Sequence, residues 1–248
     1  MITEADMIKG AEDKSDPDEI LAFLMVGQSN MSGRGDIGDV EPINNPQCAM
    51  FRMGMWQPMT EPINIDKSCV AKFAPGIGLA ASFADELQKY TGRKIGLIPC
   101  AYGGSRIEKW LPGEALYDNA VFTAKLALRD AKLGGIIWHQ GESNCRECHE
   151  NGYAEKFLDT MNSMRRELSA ESLPLIVGEI SEDIGPIWNL EDWPVKFNAL
   201  LWDLAKELPL CAIVSQEGLT LRHDGIHFDS GSCREFGKRY YKEYCNIK

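Results

Sequence analysis

Asp224 and His227 stand three residues apart in the segment Arg222-His223-Asp224-Gly225-Ile226-His227-Phe228-Asp229. One tight turn spans that distance. Across it a carboxylate can accept the imidazole Nδ1–H and leave Nε2 free as a general base. A base of this kind serves a nucleophile, and the other end of the chain offers Ser29, within Gly27-Gln28-Ser29-Asn30-Met31. Each motif also has an ordinary reading, as a polar surface turn and as a turn or helix N-cap serine. His223 is the rival base. Adjacent residues rarely face each other in the needed geometry, so His227 is the better partner for Asp224. An imidazole titrating near ~6.5 should be pulled up by that carboxylate.

These residues need elements that bring them together. Ala22 to Val26 is an apolar run of buried-strand length ending at Gly27. Position 31 is Met31, so the G-x-S-x-G elbow is absent. Strand-like runs recur at Lys94–Cys100, Ile136–Trp138, Pro174–Ile180 and Leu210–Ser215. Helical stripes alternate with them. They are Ala80/Phe83/Ala84/Leu87 closed by Gly92, Ala124/Ala127/Leu128/Ala131 closed near Gly134-Gly135, Ala154 to Leu168, Phe197 to Leu208, and Phe236/Tyr240/Tyr244. Between Gly33 and Gly76 no periodicity emerges, and Pro42, Pro46, Pro58 and Pro62 punctuate a long irregular segment. Strands alternating with helices predict a three-layer α/β/α sandwich around a five-stranded parallel sheet.

In such a sheet the carboxyl ends of the strands share one edge. That edge would collect Ser29, the turn Gly103-Gly104, the loop Gln140-Gly141-Glu142, and Asp224 with His227. A nucleophile, a base with its orienter and oxyanion donors are the parts of acyl transfer. Glycines let a backbone N–H approach a substrate, and Gln140 offers a side-chain NH₂.

Composition narrows the partners. A chain of 248 residues with 44% hydrophobic content can bury a sizeable core. Its net charge of −11 argues against nucleic acid or an anionic membrane as partner, and no run approaches the ~20 apolar residues of a membrane span. Residues 1–19 carry seven acids against two bases, with no apolar stretch of the signal-peptide kind. They read as an acidic leader before one domain over 20–248. Eight cysteines in a chain this long do not suggest a disulfide scaffold, and a reduced, cytoplasmic protein is expected.

Cys145-Arg146-Glu147-Cys148-His149 spells C-x-x-C-H, a haem-attachment pattern that needs export. Zinc on Cys145, Cys148 and His149 would need a fourth ligand, from His139 or another cysteine. A plain loop cysteine pair is the default, and neither metal nor cofactor is expected. Glu179 should lie at the surface. Of Trp56, Trp110, Trp188 and Trp193, one or two should line a cleft where a sugar could stack.

Taken jointly and in order, four blocks resemble the SGNH hydrolase superfamily. Within it they resemble carbohydrate esterase family 6 and the sialate O-acetylesterase-like domains. The blocks are Gly27-Gln28-Ser29-Asn30-Met31, Cys100-Ala101-Tyr102-Gly103-Gly104-Ser105-Arg106-Ile107-Glu108-Lys109-Trp110, Trp138-His139-Gln140-Gly141-Glu142-Ser143-Asn144, and Asp224-Gly225-Ile226-His227. The resemblance implies Ser29 as nucleophile, His227 as base and Asp224 as orienter. It also implies an oxyanion hole from the N–H groups of Ser29 and Gly104 and the side chain of Gln140. Other branches carry asparagine where this chain has Gln140. Asn30, Arg34, Glu142 and Trp110 are candidate supports or substrate contacts. The implied activity is removal of O-acetyl groups from carbohydrate, as in acetylxylan esterases. The alternatives are sialate 9-O-acetyl hydrolysis and a carbohydrate-binding module without turnover.

Overall fold

The computed structural model describes residues 19–66 and 74–247. Seven strands form one sheet: β1 (Ile20–Gly27), β2 (Cys48–Arg52), β3 (Met55–Pro58), β4 (Ile95–Pro99), β5 (Ala131–His139), β6 (Leu175–Gly178) and β7 (Cys211–Val214). Their order is β3-β2-β4-β1-β5-β6-β7, all parallel except β3 against β2. The helices are α1 (Ser29–Ser32), α2 (Ala80–Thr91), α3 (Ala115–Ala127), α4 (Tyr153–Glu167), α5 (Ile184–Ile187), α6 (Trp193–Glu207) and α7 (Ser230–Asn246).

β1 shows why the sheet has two covered faces. Ala22, Leu24 and Val26 join one core with α3, α4 and α6, while Leu21, Phe23 and Met25 join another with α2 and α7. A strand buried on both sides reads as an unbroken apolar run, because neither alternate set can be polar. β1 also sits at the switch point, with β4 on one side and β5 on the other. Ligands of open parallel sheets bind in the crevice at such a point.

The expected α/β/α architecture holds, but the sheet has seven strands rather than five. The additions are β2 and β3, inside the segment that showed no periodicity. They are joined by Met53 and Gly54 at φ 52° and 80°, both in the left-handed region that a two-residue hairpin requires. Without Asn-Gly or Asp-Gly there, the turn carries no strong sequence mark. A second difference concerns the stripe ending at Ala131. The helix α3 stops at Ala127, and β5 already begins at Ala131 and runs through Gly134 and Gly135. The two glycines lie beside Leu21 and Phe23 of β1, where an added Cβ at Gly134 would come within 2.8 Å of both side chains.

The acidic segment 1–18 lies outside the described residues, as does Cys69. The seven other cysteines are free thiols. No described helix is long and apolar enough to cross a membrane.

Candidate active site

Ser29 is the first residue of α1, directly beyond β1. Its position leaves its backbone N–H without an intrahelical acceptor, because the first turn of a helix has orphan donors. Gly27 (φ +135°) makes the turn possible. A Cβ there would stand 2.1 Å from the carbonyl oxygen of His139 on β5, so only glycine lets the two strand ends close up. Gln28 then ties the first block to the third. Its Oε1 accepts from Gln140 Nε2 at 3.1 Å, Gly141 N at 3.3 Å and Ser143 N at 3.4 Å.

The Asp224–His227 turn approaches from the other end of the chain. Asp224 Oδ2 lies 2.9 Å from His227 Nδ1. Since a carboxylate only accepts, that nitrogen carries the proton, and Nε2 is the nitrogen that could act as a base. Burial pushes the Asp224 carboxyl up, but hydrogen bonds from the backbone and ring of His227 and from Ile226 N hold it below the ordinary range. Burial also dominates at His227, which is 5% exposed, and lowers its pKa despite Asp224 and Glu142. The upward pull expected from the carboxylate is therefore outweighed. His223, the rival base, is exposed.

Ser29 and His227 line one cavity of about 300 Å³, together with Gly103, Gly104, Ser143 and Trp188. A larger groove of about 520 Å³ adjoins it across Gly103 and Gly104, with Tyr102, Arg106, Lys109 and Leu116 along its wall.

Gln140 is not among the described residues of the cavity wall. It is fully buried, and its Nε2 faces Gln28 Oε1 at 3.1 Å, Ser105 O at 3.2 Å and Asn144 Oδ1 at 2.8 Å. The amide thus braces three loops from behind. Trp110 is likewise 0% exposed, edge-on to Trp138, with Nε1 donating to Ser105 Oγ at 2.9 Å. It supports the second block and offers no surface to a substrate. Trp188, half exposed, is the tryptophan in the cavity wall, and its Nε1 donates to Gly225 O at 3.0 Å. Glu179 is buried rather than superficial, accepting from Trp202 Nε1 and Gln216 N.

Arg34 borders the cavity and is 3% exposed, its guanidinium donating to Ser32 Oγ, Gly33 O and Asp66 Oδ2. Asp66 also accepts from Gly103 N at 2.6 Å, and Asn64 bonds Ser32 Oγ and both backbone groups of Ala101. Asn64 and Asp66 thereby fasten the first block to the second. The irregular segment gave no hint of them. Asn30 and Glu142 lie side by side, Asn30 Nδ2 donating to Glu142 Oε1. Burial pushes the Glu142 carboxyl up, yet its contacts with His139 and Asn30 bring it below the ordinary range.

Cys145 and Cys148 are buried. Burial raises both thiols, Cys145 to about 12, while His149 is exposed. Among the described residues no three His, Cys, Asp or Glu side chains group as a metal site would require.

Comparison with known proteins identifies the family and the fold. Residues 19–246 match the family described as carbohydrate esterase, sialic acid-specific acetylesterase. A probable carbohydrate esterase of Arabidopsis thaliana is 28% identical over 274 residues, covering 98% of this chain and all of that protein. A crystal structure from the same plant superposes with a TM-score of 0.80 at 23% identity, over 92% of this chain and 98% of that one. NanS gives 0.73 at 17% identity, over 94% and 98%. A carbohydrate acetylesterase from Xanthomonas citri gives 0.67 at 20%, over 91% of this chain and 56% of that one. At such identities the superpositions speak for the shared fold.

Proposed function

We propose that this chain, which belongs to the sialic acid-specific acetylesterase family of carbohydrate esterases, removes O-acetyl groups from carbohydrate by way of an acetyl-Ser29 intermediate. One observation carries the reading. Ser29 and a histidine already held by a carboxylate open into the same cavity although 198 residues separate them (227 − 29).

In the first half-reaction Ser29 Oγ attacks the acetyl carbonyl while His227 Nε2 takes the hydroxyl proton. Asp224 holds the resulting imidazolium. The backbone N–H groups of Ser29 and Gly104 receive the negative oxygen. When the intermediate collapses, His227 returns the proton to the sugar oxygen and the alcohol leaves. A water molecule, deprotonated by His227, then attacks acetyl-Ser29. As that intermediate collapses the bond to Ser29 Oγ breaks, His227 returns the proton to Oγ and acetate leaves. Gln140 serves this scheme as the brace behind the oxyanion site and not as its third donor.

The family description favours O-acetylated sialic acid over acetylxylan. The test compares both substrates with wild type and Ser29→Ala. Turnover should fall by at least ~10³-fold in the variant. A variant retaining a tenth of wild-type activity would overturn the mechanism. Binding of either glycan without turnover by the wild type would favour the non-catalytic module.

A further inference from the structure

Asn30 is the neighbour of the nucleophile, yet its side chain points across the site into the base's turn. Its Nδ2 donates to Ile226 O at 3.2 Å and its Oδ1 accepts from Phe228 N at 3.1 Å, the two residues that flank His227. The same Nδ2 donates to Glu142 Oε1. A carbonyl and a carboxylate oxygen can only accept. The NH₂ must therefore face them, and the carbonyl of Asn30 must face Phe228 N–H. The amide has one permitted orientation.

What holds Glu142 lies deeper. Its side chain is 1% exposed, with Oε1 3.4 Å from His139 Nε2. Tyr240 OH donates to Trp138 O at 3.1 Å and lies 3.2 Å from His139 Nδ1. The Tyr240 hydroxyl and the edge-on rings of Phe228 and Phe236 fix the imidazole in place beside Glu142. Gly178 makes room for this contact, since a Cβ there would meet Tyr240 Oη at 1.9 Å and His139 Nδ1 at 2.5 Å. His139, Glu142 and Tyr240 are all buried and have no step in the acyl-transfer scheme. Buried ionisable groups are costly to retain, and these stand in one row that ends on Asn30.

We infer that Asn30 is a positioning residue for the deacetylation. Through Ile226 O and Phe228 N it sets where His227 stands relative to Ser29, and Glu142, backed by His139 and Tyr240, locks its amide in that orientation. This inference rests on Ser29 and His227 being nucleophile and base.

The test measures kcat and KM for 4-nitrophenyl acetate hydrolysis in Asn30→Asp, Asn30→Ala, Glu142→Leu and Glu142→Gln, with thermal melts as a fold control. Asn30→Asp has nearly the same shape but places an oxygen against Glu142 Oε1 and Ile226 O. It should lower kcat by about 100-fold, the loss that a displacement of order 1 Å can cause, and leave KM within about threefold. Glu142→Leu removes the acceptor and should lower kcat by at least about tenfold, whereas Glu142→Gln keeps an acceptor and should recover most of it. The double variant Asn30→Ala/Glu142→Leu should be no slower than Asn30→Ala alone, because both break one chain.

Asn30→Asp at more than a third of wild-type kcat would overturn the inference. So would strictly additive losses in the double variant. If Asn30→Asp does not fold, the Glu142 pair decides: equal kcat in Glu142→Leu and Glu142→Gln would overturn it. A Ser29→Ala protein that stays active would refute the esterase mechanism itself, which is a separate failure.

Discussion

Asp224 and His227 are joined twice. While Asp224 Oδ2 meets the ring Nδ1 at 2.9 Å, Asp224 Oδ1 accepts the backbone N–H of the same histidine at 3.0 Å, with Ile226 N alongside at the same distance. One carboxylate thus sets both the ring and the main chain that carries it. Asp224→Asn cannot satisfy both. With its NH₂ toward the ring it forces the other tautomer, and with its NH₂ toward the backbone it sets donor against donor. Flipping the amide rescues neither arrangement. We expect kcat to fall by about 10⁴-fold, as when a triad aspartate becomes asparagine. Activity within tenfold of wild type would show that Asp224 does not orient the base.

The pH dependence follows from burial. His227 must be neutral to accept the serine proton, and burial lowers its pKa although Asp224 and Glu142 pull it up and Arg34 adds to the lowering. A lowered pKa keeps the base neutral further into acid. The acid limb of kcat/KM should therefore have its midpoint below ~6.5. Glu142→Gln removes one of the raising charges and should move that midpoint lower still. A midpoint above the ordinary histidine value would contradict the buried environment of the ring.

Trp188 should act on sugar affinity. It forms part of the cavity wall while half exposed, and its Nε1 bonds Gly225 O in the catalytic turn. Trp188→Ala should raise KM for an acetylated sugar by about tenfold, roughly 1.4 kcal/mol of aromatic contact. Trp188→Phe, which keeps a ring and loses the hydrogen bond, should fall between the two. Identical KM values in all three proteins would remove Trp188 from the binding surface.

Acetyl should be preferred over longer acyl groups. The cavity is about 300 Å³ and is shared by Gly103, Gly104, Ser143 and Trp188. Each methylene left outside forgoes up to ~0.8 kcal/mol of burial. Rates on aryl esters should decline from acetyl to butyryl and onward to octanoyl. They should not respond to EDTA, since no three His, Cys, Asp or Glu side chains group among the described residues as a metal site would require. A rate that climbs with chain length would indicate a lipid esterase.

The Arg34–Asp66 pair should matter to stability as well as shape. Their side chains are 2% and 0% exposed, so Arg34→Met takes the guanidinium away from a buried carboxylate. Breaking such a pair costs about 3–5 kcal/mol. The urea midpoint should shift accordingly at unchanged m-value. A loss under about 1 kcal/mol would mean the pair is not effectively desolvated.

How much of this the sequence disclosed depends on how local each signal is. Ser29 was visible because β1 is apolar on both faces and turns polar at once beyond Gly27. The Asp224–His227 pair was visible because its geometry closes within one turn. Asn64 and Asp66 were hidden for the opposite reason. Their partners Ala101 and Gly103 lie 37 residues away, and nothing in the proline-rich stretch marks them. Gln140 was read as a donor because it follows a strand end, but that position does not reveal which way a side chain leaves the strand. In fact it points at Gln28 and Asn144. The β2–β3 hairpin is hard to see because Met53 stands where Asn or Asp would usually precede the turn glycine Gly54.

The placement of β1 sets a schedule for assembly. It is made before every other described strand but lies at the middle of the sheet, and it cannot gain its second neighbour until His139 has been synthesised. Ser29 then waits longer still, because the turn bearing its base follows β7. Contacts this distant close slowly, after much chain entropy has been lost. On the proposed mechanism a growing chain therefore carries Ser29 almost from its first described strand and gains His227 only after β7. Hydrolytic activity should arise in one step, with the arrival of the last helix, whose first turn is capped by Asp229.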